Sequence, residues 1–260
     1  MQVGVSTATF FGKEVTEDTL DIIKGMGVDV CEVFLTTFSE YTPQFSDLLK
    51  SRLESLSVHS IHTLTNQFEP QLTNRVERTR EDALDIFRQV LSSASNLGAK
   101  YYTFHGGAIL KVSQKNINFA HLGPKMNELC NIAGEYGIEL CQENVHWAVY
   151  QKPGFLANIL DYAPNLKSCL DIKQAMQSGY DYRDYLAEMS STLKTVHICD
   201  YDSSGLKPIG EGSFDFRELV SRLRDVGYDG PMIIELYSGD YEDYEQVRRS
   251  VEYINNIIKN

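Results

Sequence analysis

Apolar residues along this chain come in two alternating textures. Short β-branched, aromatic and aliphatic runs such as VDVCEVFL and KYYTF are separated by longer stretches in which apolar positions recur every three or four residues. The short runs predict eight strands, at 2–8, 29–35, 56–62, 100–105, 138–143, 166–171, 193–199 and 231–236, each followed by a stretch that can be helical. The clearest helix is LTNRVERTREDALDIFRQVLSSASNLG, where Val76, Ala83, Leu84, Phe87, Val90, Leu91 and Ala94 form one stripe and Asn74 with Glu77 can supply a capping box. Four junctions share one punctuation, a helical run closed by glycine and followed by a strand: GMGVDVCEVFL, SNLGAKYYTFHGG, EYGIELCQENV and DVGYDGPMIIEL. Glycine at such a junction lets the chain leave a helix through the left-handed region.

Alternating units of this kind imply parallel strands joined by crossover helices. Eight of them without a Pro- or Ser-rich linker predict an α/β fold, a single (β/α)8 TIM barrel over residues 1–260, rather than an open doubly wound sheet. The sixth unit is the weakest, because DIKQAMQSGYDYRDYLAEM is only loosely helical. The length of 260 residues suits such a barrel but does not choose it over two smaller domains.

Charge narrows the partners. With 24 basic and 36 acidic residues the net charge is −12, and no block of Lys and Arg occurs, so nucleic acid is disfavoured as a partner. Of the five cysteines, Cys31, Cys141, Cys169 and Cys199 lie in apolar strand-like runs, and none forms a C-x-x-C pair with Cys130 or another. That usage suits a reducing cytosol. MQVGVSTATF begins directly as an alternating strand without a basic and apolar leader, and no apolar run reaches membrane-spanning length. A cytoplasmic protein with no membrane partner is expected, and homo-oligomerisation is left open.

Candidate chemistry lies where the strands stop. SVHSIH ends at His62, YYTFH at His105, ELCQE at Glu143 and SCLD at Asp171, while TVH reaches His197 and MIIE reaches Glu235. In a parallel barrel all strand C-termini open on one face, so these six side chains can converge. Alternation supports an inward direction: two residues earlier stand Ser60, Thr103, Cys141, Cys169, Thr195 and Ile233, mostly small, whereas Ile61, Phe104, Leu170, Val196 and Ile234 can pack on helices. Taken singly, a histidine here is most often a hydrogen-bonded core residue and a carboxylate a helix cap. Together, several buried carboxylates repel one another unless a cation joins them. Three carboxylates and one imidazole form a shell suited to Mn²⁺, Mg²⁺ or Co²⁺ and open to Zn²⁺.

On SIH, FHGG, QEN, LDI, VHICD, PIGEGSFDF and IIEL, spread over essentially the whole chain, the sequence resembles the xylose isomerase-like barrel superfamily. The likeness is to its sugar phosphate isomerase/epimerase group, with tagatose and psicose 3-epimerases, and more distantly to endonuclease IV. The resemblance implies one divalent metal ion held by Glu143, Asp171, His197 and Glu235, with His62 and His105 facing substrate. It implies a sugar, sugar phosphate or polyol isomerase or epimerase of carbohydrate metabolism that abstracts a proton beside a carbonyl through a metal-stabilised enediolate. Glu143 and Glu235 would be base and acid on opposite faces, and Trp147 would cover the sugar's apolar face. The chain departs from the pattern in having Gln174 where the family usually has His, placing Gln174 against substrate, and Ser203 where the epimerases carry Arg. The endonuclease's Asp-x-His is absent from DSSGLKPIGEG. An inosose dehydratase-like lyase, an apurinic-site endonuclease and a non-catalytic sugar-binding barrel are the alternatives. Product dehydration, salt-dependent DNA binding and absence of solvent-deuterium exchange would respectively mark them. In PIGEGSFDF, Gly210 and Gly212 allow a tight loop, and Asp215 with Glu218 can cap the next helix; the loop either turns the chain or shapes the site.

Overall fold

A computed structural model describes residues 1–108 and 116–259. Eight parallel strands close into a barrel: β1 (Gln2–Ser6), β2 (Val30–Leu35), β3 (Ser57–Thr63), β4 (Tyr101–Phe104), β5 (Glu139–Glu143), β6 (Lys167–Asp171), β7 (Leu193–Ile198) and, after a small antiparallel hairpin of β8 (Asp200–Asp202) and β9 (Gly205–Lys207), β10 (Pro231–Ile234). The order around the barrel is β1-β10-β7-β6-β5-β4-β3-β2. Predicted strand ends differ from these by two residues at most. The hairpin was not expected.

Helices α1 (Thr16–Gly25), α2 (Pro43–Leu53), α3 (Glu77–Asn96), α4 (Phe119–Glu135), α5 (Leu156–Ile159), α6 (Ile172–Ser178), α7 (Tyr182–Met189), α8 (Phe216–Asp225) and α9 (Tyr244–Lys259) lie outside the strands. Because helices cover the outer face and side chains fill the inner one, strands such as VCEVFL are buried at every position. The four junction glycines, Gly27, Gly98, Gly137 and Gly227, have φ of +75°, +76°, +73° and +75°, as a left-handed helix exit requires.

Side-chain alternation sorts the strands as the pattern implied. Ile61, Phe104, Leu170, Val196 and Ile234 join the hydrophobic layer under the helices. Ser60 and Thr103 point into the barrel, where both hydroxyls donate to Glu32 at 2.7 and 2.8 Å.

Two local expectations fail. Val76 does not belong to the α3 stripe: it is 60% exposed, whereas Ala83, Leu84, Phe87, Val90, Leu91 and Ala94 are buried. The capping box does not form either. Val76 itself is the extended N-cap residue, so Asn74 lies outside the helix and accepts instead from the Val76 N–H at 2.9 Å. The loosely helical sixth unit is two helices, broken at Gly179 with φ +75°.

Candidate active site

The strand-end run QEN shows how the barrel mouth is built. Gln142 turns towards β4 and donates to the carbonyls of Phe104 and His105 at 3.1 and 3.0 Å. Asn144 turns the other way, donating to the Asp171 carbonyl and accepting from its N–H, both at 2.8 Å. These amides tie β5 to the ends of its two neighbours, and Glu143 between them is left facing the mouth. Asp171 is fixed from its other oxygen: Oδ1 caps α6 by accepting from the Gln174 N–H at 2.9 Å, leaving Oδ2 towards the centre.

Glu143, Asp171, His197 and Glu235 converge. One ligand atom from each lies within 4.8 Å of the other three. His197 Nδ1 is 3.4 Å from Glu143 Oε1, 3.3 Å from Glu235 Oε2 and 3.9 Å from Asp171 Oδ2. The opposite ring nitrogen, Nε2, donates to Glu32 Oε2 at 3.1 Å. Burial opposes a charge on His197, yet Glu32 and Glu235 beside the ring raise its pKa well above the usual imidazole range, so the ring holds a proton among the acids that a metal ion would displace. Glu143 Oε2, Asp171 Oδ2 and His197 Nδ1 are buried without an aligned hydrogen-bond partner. A spread of 4.8 Å also matches ligands at about 2.0–2.4 Å from a shared ion. The four residues fit a divalent metal.

His62 and His105 join them, with ring centroids 4.4 Å apart and edge to face. His105 Nε2 lies 2.6 Å from Glu143 Oε2, and its Nδ1 contacts Thr65 Oγ1. His62 Nδ1 stands 3.7 Å from Glu32 Oε1 and 3.8 Å from Glu235 Oε1, and neither ring nitrogen has an aligned partner. Above the cluster is a cavity of about 380 Å³ lined by His62, His105, Glu143, Trp147, Gln174 and Glu235, with apolar walls from Phe11, Phe34, Leu64, Leu236 and Tyr237. Trp147 meets the His105 ring edge to face at 5.4 Å. Gln174 lines the cavity, but its carbonyl oxygen is occupied by His146, whose Nδ1 donates at 2.6 Å.

Burial and neighbouring charge separate the acids. Burial would raise the Glu143 carboxyl, yet the His105 and His197 rings hold it well below the usual carboxylate range. The same opposition acts on Glu235, lowered by Lys173 and His197. Burial prevails at Asp171, pushing it up to about 7 despite Lys173.

Three residues of this centre were not anticipated. Glu32, wholly buried in β2, is the hub beneath the site, accepting from Ser6, Ser60, Thr103 and His197. A charge inside the otherwise apolar VCEVFL is the signal that could have revealed it. Lys173 places Nζ 3.0 Å from Glu235 Oε2 and 3.6 Å from Asp171 Oδ2, with 2% of its surface exposed. Glu69 accepts from Thr63, Tyr102 and the N–H groups of His105 and Gly106, and so positions the β4 end. Nothing in the local pattern marks either of these two.

The PIGEGSFDF loop wraps around Asp200, whose carboxylate accepts from the N–H groups of Tyr201, Gly210, Gly212 and Phe214. Its residues do not line the central cavity. Ser213, Phe214 and Asp215 border a separate one of about 440 Å³ beside Tyr180 and Tyr182. Asp215 does cap α8, accepting from the Glu218 N–H at 2.9 Å.

The L-ribulose-5-phosphate 3-epimerase of Shigella boydii is 23% identical to this chain over 243 residues, covering 87% of this chain and 84% of its own length. The crystal structure of a D-tagatose 3-epimerase-like protein superposes with a TM-score of 0.81 at 20% identity, covering 100% of this chain and 98% of that one. The zinc-bound crystal structure of the IOLI protein does so with a TM-score of 0.81 at 16% identity, covering 100% and 98%. Residues 20–257 match the family model of the xylose isomerase-like TIM barrel, and the chain belongs to that family.

Proposed function

We propose that the protein is a divalent-metal-dependent sugar or polyol epimerase that exchanges a proton on carbon next to a carbonyl. The observation carrying this reading is the convergence of Glu143, Asp171 and Glu235 on His197 Nδ1 at the floor of a cavity. Kinship with an L-ribulose-5-phosphate 3-epimerase supports the reaction class. The ion would be held by Glu143, Asp171, His197 and Glu235; zinc in the related IOLI structure supports a metal here, with Mn²⁺, Mg²⁺ and Co²⁺ compatible with the same donors. When bound, it supplies positive charge to the oxygens that become negative as the proton leaves.

The remaining steps belong to the chain's own residues. Glu143 on β5 and Glu235 after β10 approach the mouth from strands separated by β6 and β7, so their carboxyls face a bound substrate from two sides. Glu143, held ionised by the His105 and His197 rings, takes the proton from one face. Because Glu235 is itself held ionised, the proton returned to the other face is relayed through its carboxylate from solvent, which inverts the carbon, and Glu143 gives the proton it took back to solvent. His62 and His105 hydrogen-bond the substrate oxygens, and Trp147 with Phe11 and Phe34 covers the apolar face of the carbon chain and excludes water. Gln174 supplies its remaining amide N–H bonds in place of the usual imidazole.

Lys173 is the single lysine or arginine among the described residues lining the cavity, and it is engaged by Glu235 and Asp171. That disfavours a nucleic-acid backbone as substrate, as does the net charge of −12. The test is a screen of ketoses and inososes in heavy water with metal-loaded protein. Deuterium entering beside the carbonyl with the hydroxyls retained supports an epimerase, whereas loss of water from an inosose would move the assignment to a dehydratase. Glu143→Gln should abolish exchange while leaving the folded state intact; exchange at the original rate would remove Glu143 as the base.

A further inference from the structure

The cation already present in this site is a side chain. Lys173 leaves Asp171 in the first turn of α6 and turns inward, so that its ammonium is buried among acids rather than carried to the surface as lysines usually are. A buried ammonium needs charged partners, and the two it has are Glu235 Oε2 and Asp171 Oδ2. These are the same oxygen atoms that face His197 Nδ1 in the candidate metal shell. The ammonium also rests on the face of Tyr237, 4.4 Å from the ring centroid, and that tyrosine, at the cavity wall, is 45% exposed as a residue.

We propose that Lys173 is a built-in counter-cation of the carboxylate cluster, neutralising Asp171 and Glu235 when no ion is bound and giving up both oxygens when a divalent ion enters. This inference rests on the metal reading above. Two cations cannot share those oxygens in a dry pocket without repelling each other. The lysine therefore makes the empty barrel stable and lowers its affinity for metal. On release, the ammonium moves along the Tyr237 face to the cavity wall, where it meets substrate oxygens with a positive charge that Gln174 does not supply.

The experiment is titration of the metal-free protein with MnCl₂ by calorimetry, together with its thermal melt, for wild type, Lys173→Met and Lys173→Arg. Lys173→Met should bind Mn²⁺ at least tenfold more tightly, a difference of about 1.4 kcal/mol. Its metal-free form should melt below wild type and recover on adding Mn²⁺. Lys173→Arg, which keeps the charge, should bind nearer to wild type. Folding of Lys173→Met only with Mn²⁺ present supports the proposal as well. Equal or weaker Mn²⁺ binding by Lys173→Met overturns it while leaving the metal reading in place, whereas no binding by wild type or by any variant overturns both. Independently of any variant, a Mn²⁺-bound crystal structure of the wild type with Lys173 still hydrogen-bonded to Glu235 overturns it.

Discussion

His197 donates its Nε2 hydrogen to Glu32 across 3.1 Å at the bottom of the barrel mouth, and this one bond decides which ring nitrogen faces the acids above. Glu32 is itself held by the hydroxyls of Ser6, Ser60 and Thr103, so its carboxylate has a single orientation. Replacing it with Gln puts an amide donor where only acceptors are used. Divalent-metal affinity should fall by about 10- to 100-fold in Glu32→Gln, the usual effect of losing a carboxylate behind a ligating histidine. Calorimetric titration checks this, and an unchanged affinity would mean that His197 is oriented by something else.

The corrected stripe of α3 makes a paired stability prediction. Phe87 is fully buried against Tyr102, with ring centroids 5.4 Å apart, so Phe87→Ala should cost about 3–5 kcal/mol through lost burial and a cavity. Val76, exposed at the helix start, should tolerate serine within about 0.5 kcal/mol. Urea unfolding of both variants is the measurement. A large loss in Val76→Ser would return that residue to the stripe.

Asp200 should matter for stability more than its place in a loop suggests. Its carboxylate satisfies four backbone N–H groups of one segment, and a Cβ on Gly212 would come within 2.2 Å of its Oδ1. Both Asp200→Ala and Gly212→Ala should therefore destabilise the protein, by about 2–4 kcal/mol for the former. Protease nicking within residues 203–214 should rise in parallel; resistance equal to wild type would show that the loop holds itself.

A pH dependence follows from His59. Burial lowers its pKa to about 4, and the hydrogen bond to the Lys194 carbonyl, which favours a charged ring, only partly offsets this. The unfolded chain binds this proton at about pH 6.5. A group depressed on folding supports the native state above its unfolded pKa, so stability should be lost as pH falls from about 6.5 towards 4, by about 2 kcal/mol between pH 7 and 5 from this residue alone. His59→Gln should flatten that part of the curve in guanidinium unfolding followed against pH. A variant that declines as steeply as wild type would place the acid sensitivity elsewhere.

The alternation of apolar runs determined the eight strands, their parallel sense and the closed barrel, because a strand buried on both faces and a helix buried on one write different periods into a chain. It also placed Glu143, Asp171, His197 and Glu235 at the same end, since every strand of such a barrel finishes on one face. Tertiary structure alone decided what surrounds them. Glu32 reads locally as an anomaly in VCEVFL and becomes the anchor of His197 only when β2 and β7 meet across the barrel interior. Lys173 is two residues from Asp171, but its inward course depends on α6 starting at once from the strand end and on Glu235 waiting 62 residues away. Glu69 binds the end of β4 from a single 3-10 turn, Glu69–Gln71, too short to carry a periodicity. Periodicity reports which face of an element is buried; the partner of a buried charge is set by distances between elements, which no local pattern encodes.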